Sequence, residues 1–168
     1  FRSVCNAWNI MNWKELPQVK KGNIGEKVLH KYLCEMNYTI YNPTTNKSHP
    51  FDGLVYSGNN LKFLYDVKTK GKTNYHNAQG IDKNFYNIYL SAMKKFNVPF
   101  ILFFVDDQNG EVHSANLNFL QDKPYIKIKK DGSIIGWNVE DLKYLFNITD
   151  STIGELNKFD TRNYLYLH

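Results

Sequence analysis

Residues 61–68 read LKFLYDVK, and this stretch decides the fold that the sequence predicts. Side chains of a β-strand alternate between its two faces, so Asp66 and Lys68 project together from one face. The opposite face carries side chains that a core would bury, namely Leu61, Phe63, Tyr65 and Val67. Burial of that face fixes the direction in which the charged pair points.

Residues 51–56 form a second predicted strand, and the intervening Ser-Gly-Asn-Asn is typical of a turn, so the two strands are expected to pair as an antiparallel hairpin. The length of the loop then decides what Asp52 faces. An odd number of loop residues places Asp52 directly opposite Asp66, whereas an even number turns it toward Tyr65 and the core. Opposed strand residues have Cβ atoms about 4.5–5.5 Å apart, and two carboxylates at that distance need a compensating cation. A divalent metal ion is the natural candidate.

The composition bounds the class of protein. A chain of 168 residues with 42% apolar and 22% charged residues is long enough to bury a core as one domain over 1–168. It contains no apolar run of about 18 residues, so no association with a membrane is expected. The first residues lack the features of a secretory signal, and Cys5 and Cys34 are too few for a disulfide framework, so a cytoplasmic protein with reduced cysteines is expected. The net charge of +5 favours a polyanionic partner.

The remaining periodicities surround the hairpin with helices and one more strand. Apolar spacing predicts a helix over 24–36, with Glu26 at the edge of its apolar arc, and a second helix over 79–96 whose stripe should cover the sheet. The predicted sheet-facing residues of that helix are Phe85, Ile88, Tyr89, Ala92, Met93 and Phe96. The continuous apolar run 100–105 predicts a central strand buried on both faces.

The weaker signals predict a short strand over 38–41, a strand near Val112, a hairpin over 125–135 and a helix capped by Asn138. The order of the elements indicates an α/β (α+β) fold, in which helices pack on a small sheet.

Three short motifs occur in a known order and resemble the PD-(D/E)XK nuclease superfamily. They are Glu26 in GNIGE, Asp52 in HPFDG, and the sequence Asp66-Val67-Lys68. The resemblance covers about residues 22–105 and implies a restriction-endonuclease-like core, a mixed central sheet flanked by helices, with 106–168 as a C-terminal extension. The sequence departs from the family pattern where Phe51 separates Pro50 from Asp52, and where Asp66 replaces the commoner glutamate.

The resemblance implies a phosphodiester hydrolase that uses Mg²⁺ or Mn²⁺, with DNA favoured over RNA. Carboxylates are hard oxygen ligands suited to these ions, so Asp52 and Asp66 are the expected principal ligands. The Val67 carbonyl can add a ligand, and Glu26 can bind a metal directly or through water. Lys68 would position the attacking water and offset charge on the phosphate.

Further residues are expected to contact nucleic acid. The polar loop after the second hairpin strand carries lysines and an aromatic ring suited to phosphate contact and base stacking. In the family a residue from the helix after the hairpin, often glutamine, sometimes joins the site, and Gln79 or Tyr75 are the candidates here. The expected nucleic-acid-binding residues are Lys70, Lys72, Tyr75, His49 and Gln79.

Simpler interpretations remain open for the same residues. Asp66 and Lys68 can form a surface ion pair, Asp52 can cap a turn, and Glu26 can lie in a first helical turn for reasons of the helix dipole. The chain can also be a catalytically inactive nucleic-acid-binding module or inhibitor with a nuclease-like fold. A third possibility is an assembly protein that docks a partner, or a homodimer, through aromatic residues such as Trp8, Trp13, Tyr164 and Tyr166.

Overall fold

A computed structural model describes residues 13–43, 49–73 and 76–159 of the chain. After a short 3-10 turn at Trp13–Glu15, the elements in chain order are α1 (Pro17–Glu35), β1 (Thr39–Tyr41), β2 (Gly53–Ser57), β3 (Asn60–Thr69), β4 (Ala78–Asp82), α2 (Lys83–Phe96), β5 (Phe100–Val105), β6 (Glu111–Asn116), α3 (Leu117–Leu120), β7 (Ile126–Lys127), β8 (Ile134–Asn138), β9 (Lys143–Asn147) and α4 (Asp150–Asn157). Within these residues no helix is both long and apolar enough to cross a bilayer.

The main sheet has six strands in the order β1-β2-β3-β5-β6-β9. β3 and β5 are parallel and are connected through α2, while the other neighbouring strands are antiparallel. The mixed central sheet with helices on it is the predicted fold class, and β5 is the buried central strand that its continuous apolar run indicated. A second, three-stranded antiparallel sheet has the order β4-β8-β7 and was predicted only in its β7–β8 hairpin.

The β2–β3 hairpin forms as predicted, but its loop has the even length that should turn Asp52 toward the core. Ser57 pairs with Asn60, so the turn between them contains two residues. A β-bulge then shifts the register between Val55 and Tyr56, because Lys62 on β3 has no partner on β2. Beyond the bulge Gly53 pairs with Tyr65, which is the register of the odd-length alternative. The bulge therefore restores Asp52 to the position opposite Asp66.

Helices cover both faces of β3. On one face α1 packs against Tyr65 and Val67, and on the other face Leu64 belongs to the core under α2. The strand is therefore buried on two sides, whereas the sequence indicated a single buried face. Apart from the exposed Lys62 near its start, β3 carries its charged side chains at its carboxyl-terminal end.

α1 begins seven residues before the predicted start. Pro17 occupies its first turn, where a missing backbone N–H costs nothing and the fixed φ suits a helix. The polar residues Lys20, Lys21 and Gly22 carry no apolar periodicity, which hid these turns from the sequence pattern. The part of the helix that was predicted is correct, and Leu29 and Leu33 are buried as expected.

The predicted helix over 79–96 is wrong at its start, and its sheet-facing stripe is correct only in part. Tyr89 is fully buried, and Ala92 and Met93 pack against the core, as predicted. Residues 78–82 form β4, and α2 begins at Lys83 with Asp82 as its N-cap, accepting a 2.7 Å hydrogen bond from the Asn84 backbone N–H. The predicted stripe members Phe85, Ile88 and Phe96 are 40–42% exposed. Tyr86 is buried instead and packs edge-on against Trp137 of β8. The small sheet supplies this second apolar surface and thereby rotates the buried face of the helix.

The C-terminal region completes the main sheet. β6 and the β7–β8 hairpin were predicted, but the helix capped by Asn138 is a 3-10 turn at Val139–Asp141 in which the Asn138 side chain makes no capping hydrogen bond. β9 forms an edge strand and α4 contacts α1, and neither element was predicted.

Candidate active site

Charged side chains gather at the carboxyl-terminal end of β3. Asp66 and Lys68 lie two positions apart and so share one face of the strand, and Lys70 follows directly after the strand ends. Asp66 is only 5% exposed, and its Oδ2 lies 2.6 Å from Lys68 Nζ. The interpretation as a surface ion pair is therefore wrong, because the carboxylate is buried.

Asp52 is held beside this pair by hydrogen bonds from both its backbone and its side chain. Its backbone N–H donates to the Tyr65 carbonyl at 3.0 Å, and its own carbonyl accepts from Asn42 Nδ2 at 3.2 Å. Its carboxylate Oδ2 accepts from the Val67 backbone N–H at 2.7 Å. The side chain thus reaches across to β3 immediately next to Asp66, which is a different role from capping a turn.

Glu26 approaches from α1 because the helix lies unusually close to the strand. A Cβ on Gly25 would overlap the Thr69 side chain, so only glycine permits this approach. Burial raises the pKa of Glu26, with a further rise from Asp66 and a reduction from Lys68. These influences place Glu26 within electrostatic reach of the pair, and we call Glu26, Asp52, Asp66 and Lys68 the charge cluster.

The carboxylates of the charge cluster disfavour one another's ionisation. Burial, followed by the charges of Asp66 and Glu26, raises the pKa of Asp52 to about 7. Burial also raises the pKa of Asp66, although Lys68 opposes this effect. Lys68, with a further contribution from Lys70 at Asp66, therefore offsets the three acidic groups only in part, and a cation bound among them would favour their ionised forms.

The donor set fits a hard divalent cation with an incomplete protein cage. In residues 13–43, 49–73 and 76–159, no three carboxylate, imidazole or thiol groups are arranged to enclose an ion by themselves. Mg²⁺ commonly binds one or two carboxylates and completes its shell with water and substrate phosphate. Asp52 and Asp66 supply two neighbouring carboxylates of that kind, and the roles of Asp52, Asp66, Glu26 and the Val67 carbonyl as ligands stay predictions.

The predicted nucleic-acid-binding lysines have different environments. Burial lowers the pKa of Lys70 to about 8, and the charge of Lys68 contributes to this effect. Lys70 thus lies at the charge cluster. Lys72 is already engaged, since its Nζ lies 2.6 Å from Glu111 Oε2 with both side chains partly exposed. A phosphate would have to compete with Glu111 for Lys72.

The other three residues predicted to contact nucleic acid are Tyr75, His49 and Gln79, and their environments differ. Tyr75 lies outside the described residues. His49 is exposed, and its Nδ1 donates to the Phe51 carbonyl at 2.9 Å. Gln79 lies on β4, where it is fully buried and neither atom of its amide has a hydrogen-bond partner among the described residues. Leaving such a group unpaired costs about 1–3 kcal/mol, which keeps Gln79 a candidate for contact with a ligand.

Two groups of residues at the site were missed by the sequence analysis. The first is a polar network in which Tyr65 OH lies 2.7 Å from His30 Nε2 and accepts from Asn42 Nδ2 at 3.2 Å. This network ties α1 to the loop that carries Asp52. His30 follows Glu26 by four residues, so their shared helix face was the available signal.

The second missed group is aromatic. Lys68 Nζ lies 5.0 Å from the ring centroid of Phe85 and 5.8 Å from that of Tyr89, both within the range of cation–π attraction. The sequence analysis missed this contact because it predicted that Phe85 faces the sheet.

The parallel β3–β5 pair with its connecting helix, and the acidic end of β3, define a restriction-endonuclease-like fold. No protein-family model and no curated protein matches the sequence. Among solved structures, the chain is similar to a Holliday junction resolvase from the archaeal hyperthermophile Archaeoglobus fulgidus, with a TM-score of 0.52 and 9% sequence identity over 71% of this chain and 90% of that one. The resolvase belongs to the PD-(D/E)XK superfamily, so the resemblance drawn from the motifs is confirmed at the level of the fold.

Proposed function

We propose that this protein is a divalent-metal-dependent nuclease that hydrolyses phosphodiester bonds in DNA. The observation that carries the proposal is the burial of Asp66 beside Lys68, with Asp52 and Glu26 in electrostatic contact with them. A buried excess of carboxylates destabilises the folded protein, and such costs are typical of functional sites. The three sequence motifs contain the same four residues.

Each residue of the charge cluster has a defined task in this mechanism. Asp52 and Asp66 would hold Mg²⁺ or Mn²⁺, which supplies Lewis acidity toward a bound water and a phosphate oxygen. Lys68, kept in place by Asp66 and the ring of Phe85, would donate to the phosphate and stabilise the charge that develops on it. Glu26 would orient water or a second ion, and Lys70 would add a phosphate contact just beyond the end of β3.

Cleavage assays on the full chain test the proposal. Plasmid, linear duplex and single-stranded DNA, with RNA of the same sequences, are incubated with Mg²⁺ or Mn²⁺ and with chelator. We expect metal-dependent cutting of DNA that falls at least about a hundredfold in Asp66→Asn. The proposal fails if no substrate is cut, or if Asp66→Asn cuts as well as the unaltered protein.

A binding module without catalysis is the second candidate, favoured by the lack of a three-residue metal cage among the described side chains. Calorimetric titration with Mn²⁺ separates the two. Tight binding that is lost in Asp52→Asn supports the nuclease, whereas DNA binding with no measurable Mn²⁺ affinity supports the module. The mass in solution decides whether either function is carried out by a homodimer.

A further inference from the structure

Phe85 holds an exposed aromatic ring against the charge cluster. It lies on the first turn and a half of α2, and its ring centroid is 5.0 Å from Lys68 Nζ. The residue is 42% exposed, so much of its aromatic surface is open to solvent beside the charge cluster. Packing against the protein therefore uses only part of this ring.

The ring belongs to a rigid support. Phe85 and Tyr89 are stacked with an interplanar angle of 20°, and Tyr89 in turn stacks on Phe100 with centroids 4.5 Å apart. Tyr89 and Phe100 are fully buried. We call these three residues the aromatic stack, which runs from the core under β5 to the surface beside Lys68.

From this arrangement we infer that Phe85 is a stacking platform for a nucleobase next to the phosphate that is cleaved. The inference rests on the proposed function and adds the substrate class to it. A phosphate that contacts Lys68 brings the base of an adjoining nucleotide within reach of a ring about 5 Å away. The ring of Phe85 thus suits a nucleobase, and the ammonium of Lys68 suits the neighbouring phosphate.

The consequence concerns the form of the DNA. In a continuous duplex each base is stacked between its neighbours, and freeing one costs unstacking energy that is smallest for unpaired nucleotides. A platform at the cleavage site therefore selects DNA with an unstacked nucleotide there, as at a branch, a flap, an end or a single strand. Continuous duplex is the disfavoured substrate.

Phe96 provides a matched control for Phe85. It lies on the same helix, is 40% exposed, and is eleven residues further on, about 16 Å along the axis. Phe85→Leu and Phe96→Leu remove the same aromatic surface at and away from the charge cluster. Phe85→Trp keeps a stacking surface, and thermal unfolding verifies that all three variants fold.

The experiment measures binding in chelator, so it does not depend on cleavage. Fluorescent oligonucleotides are single-stranded, flapped or continuous duplex, and flapped versions carry one abasic site placed in turn at each position around the junction. We expect Phe85→Leu to weaken binding of the flapped and single-stranded DNA about tenfold, with little change for duplex, for Phe96→Leu and for Phe85→Trp.

The abasic series decides whether Phe85 contacts a base. At one position the abasic site should weaken binding by the unaltered protein about as much as Phe85→Leu does, and cause no further loss in Phe85→Leu. Equal weakening for all DNA forms, or losses that add at every position, overturns the platform. If the Phe85→Leu and abasic effects are coupled in a protein that cuts no DNA, the stacking platform is retained and the nuclease proposal is rejected. If the protein cuts DNA but shows no such coupling, the nuclease proposal is retained and the platform is rejected.

Discussion

The two faces of β3 are both buried, yet they differ in how their polar groups are satisfied. On the face toward α1, Tyr65 is fully buried and its hydroxyl is bonded to His30 and Asn42. On the face toward α2, Asp66 is buried with other carboxylates nearby, and Lys68 and Lys70 offset its charge only in part. We call the side toward α1 the anchoring face and the side toward α2 the charged face. One strand can therefore stabilise the fold through one face while its other face holds charged groups at a cost in stability.

Alternation makes this division possible. Neighbouring residues of β3 project to opposite sides, so the packing of Tyr65 and Val67 fixes the backbone without occupying the space around Asp66 and Lys68. Functional sites often contain buried like charges that reduce the stability of the fold, and packing elsewhere in the protein must offset that loss. The predictions below disturb the two faces separately, beginning with the largest expected effect.

Removing the lysine of the charged face should abolish most activity. Lys68→Met keeps an unbranched stem and removes the ammonium, so we expect cleavage to fall at least about a hundredfold in single-turnover assays. The metal-free variant should also unfold at a lower temperature at neutral pH, because the buried Asp66 loses its counter-charge. Lys62→Met is the control, because Lys62 is the exposed bulge residue of the same strand. Equal effects of the two substitutions would contradict a special role for Lys68.

Crowding the anchoring face should cost stability. Gly25→Ala places a Cβ against Thr69, and we expect a loss of about 2 kcal/mol in the free energy of unfolding, measured with denaturant. Gly22→Ala on the same helix meets nothing within 4 Å and should stabilise by about 0.5–1 kcal/mol. Thr69→Ala should rescue part of the Gly25→Ala loss, and an absence of rescue would show that the close approach is not the cause.

Neutralising Asp52 should stabilise the metal-free protein in a pH-dependent way. Its pKa rises from the ordinary 3.8 to about 7 on folding, so the folded state binds the proton more tightly and its advantage fades as pH rises through that range. The amide introduced by Asp52→Asn is not ionised and can still accept the hydrogen bond from Val67. In chelator we expect Asp52→Asn to be more stable by on the order of 2 kcal/mol at pH 8, and by less at pH 5.

The effect of Mn²⁺ on the stability of Asp52→Asn provides a control for this prediction. Saturating Mn²⁺ should stabilise the unaltered protein and leave Asp52→Asn nearly unchanged, because binding to the folded state raises its stability. A stabilisation by Asp52→Asn that is constant from pH 5 to pH 8 would contradict the raised pKa.

The smallest effect is expected from the polar network on the anchoring face. Tyr65→Phe removes the hydroxyl bonded to His30 and Asn42, and should lower the free energy of unfolding by about 1 kcal/mol. It should also weaken Mn²⁺ binding, because Asn42 helps to hold the Asp52 carbonyl. Tyr41→Phe is the control, since Tyr41 is 57% exposed. A loss of stability with unchanged Mn²⁺ affinity would limit the network to a structural role.

Much of the fold was readable from local patterns. Alternation over 61–68 placed Asp66 and Lys68 on one face, and the apolar run 100–105 identified the central strand. The order of elements and the three motifs then indicated the class of fold that the comparison supports. These features depend on residues close in sequence, for which periodicity directly reports which side is buried.

Distant contacts decided the remainder. The bulge at Lys62 set the register of Asp52, the small sheet rotated α2 and exposed Phe85, and the Gly25–Thr69 approach brought Glu26 to the site. The sequence by itself determined which residue types and strand faces were available for chemistry. Only the tertiary structure decided which of them meet, because pairing register and helix rotation depend on surfaces contributed by segments far away in the chain.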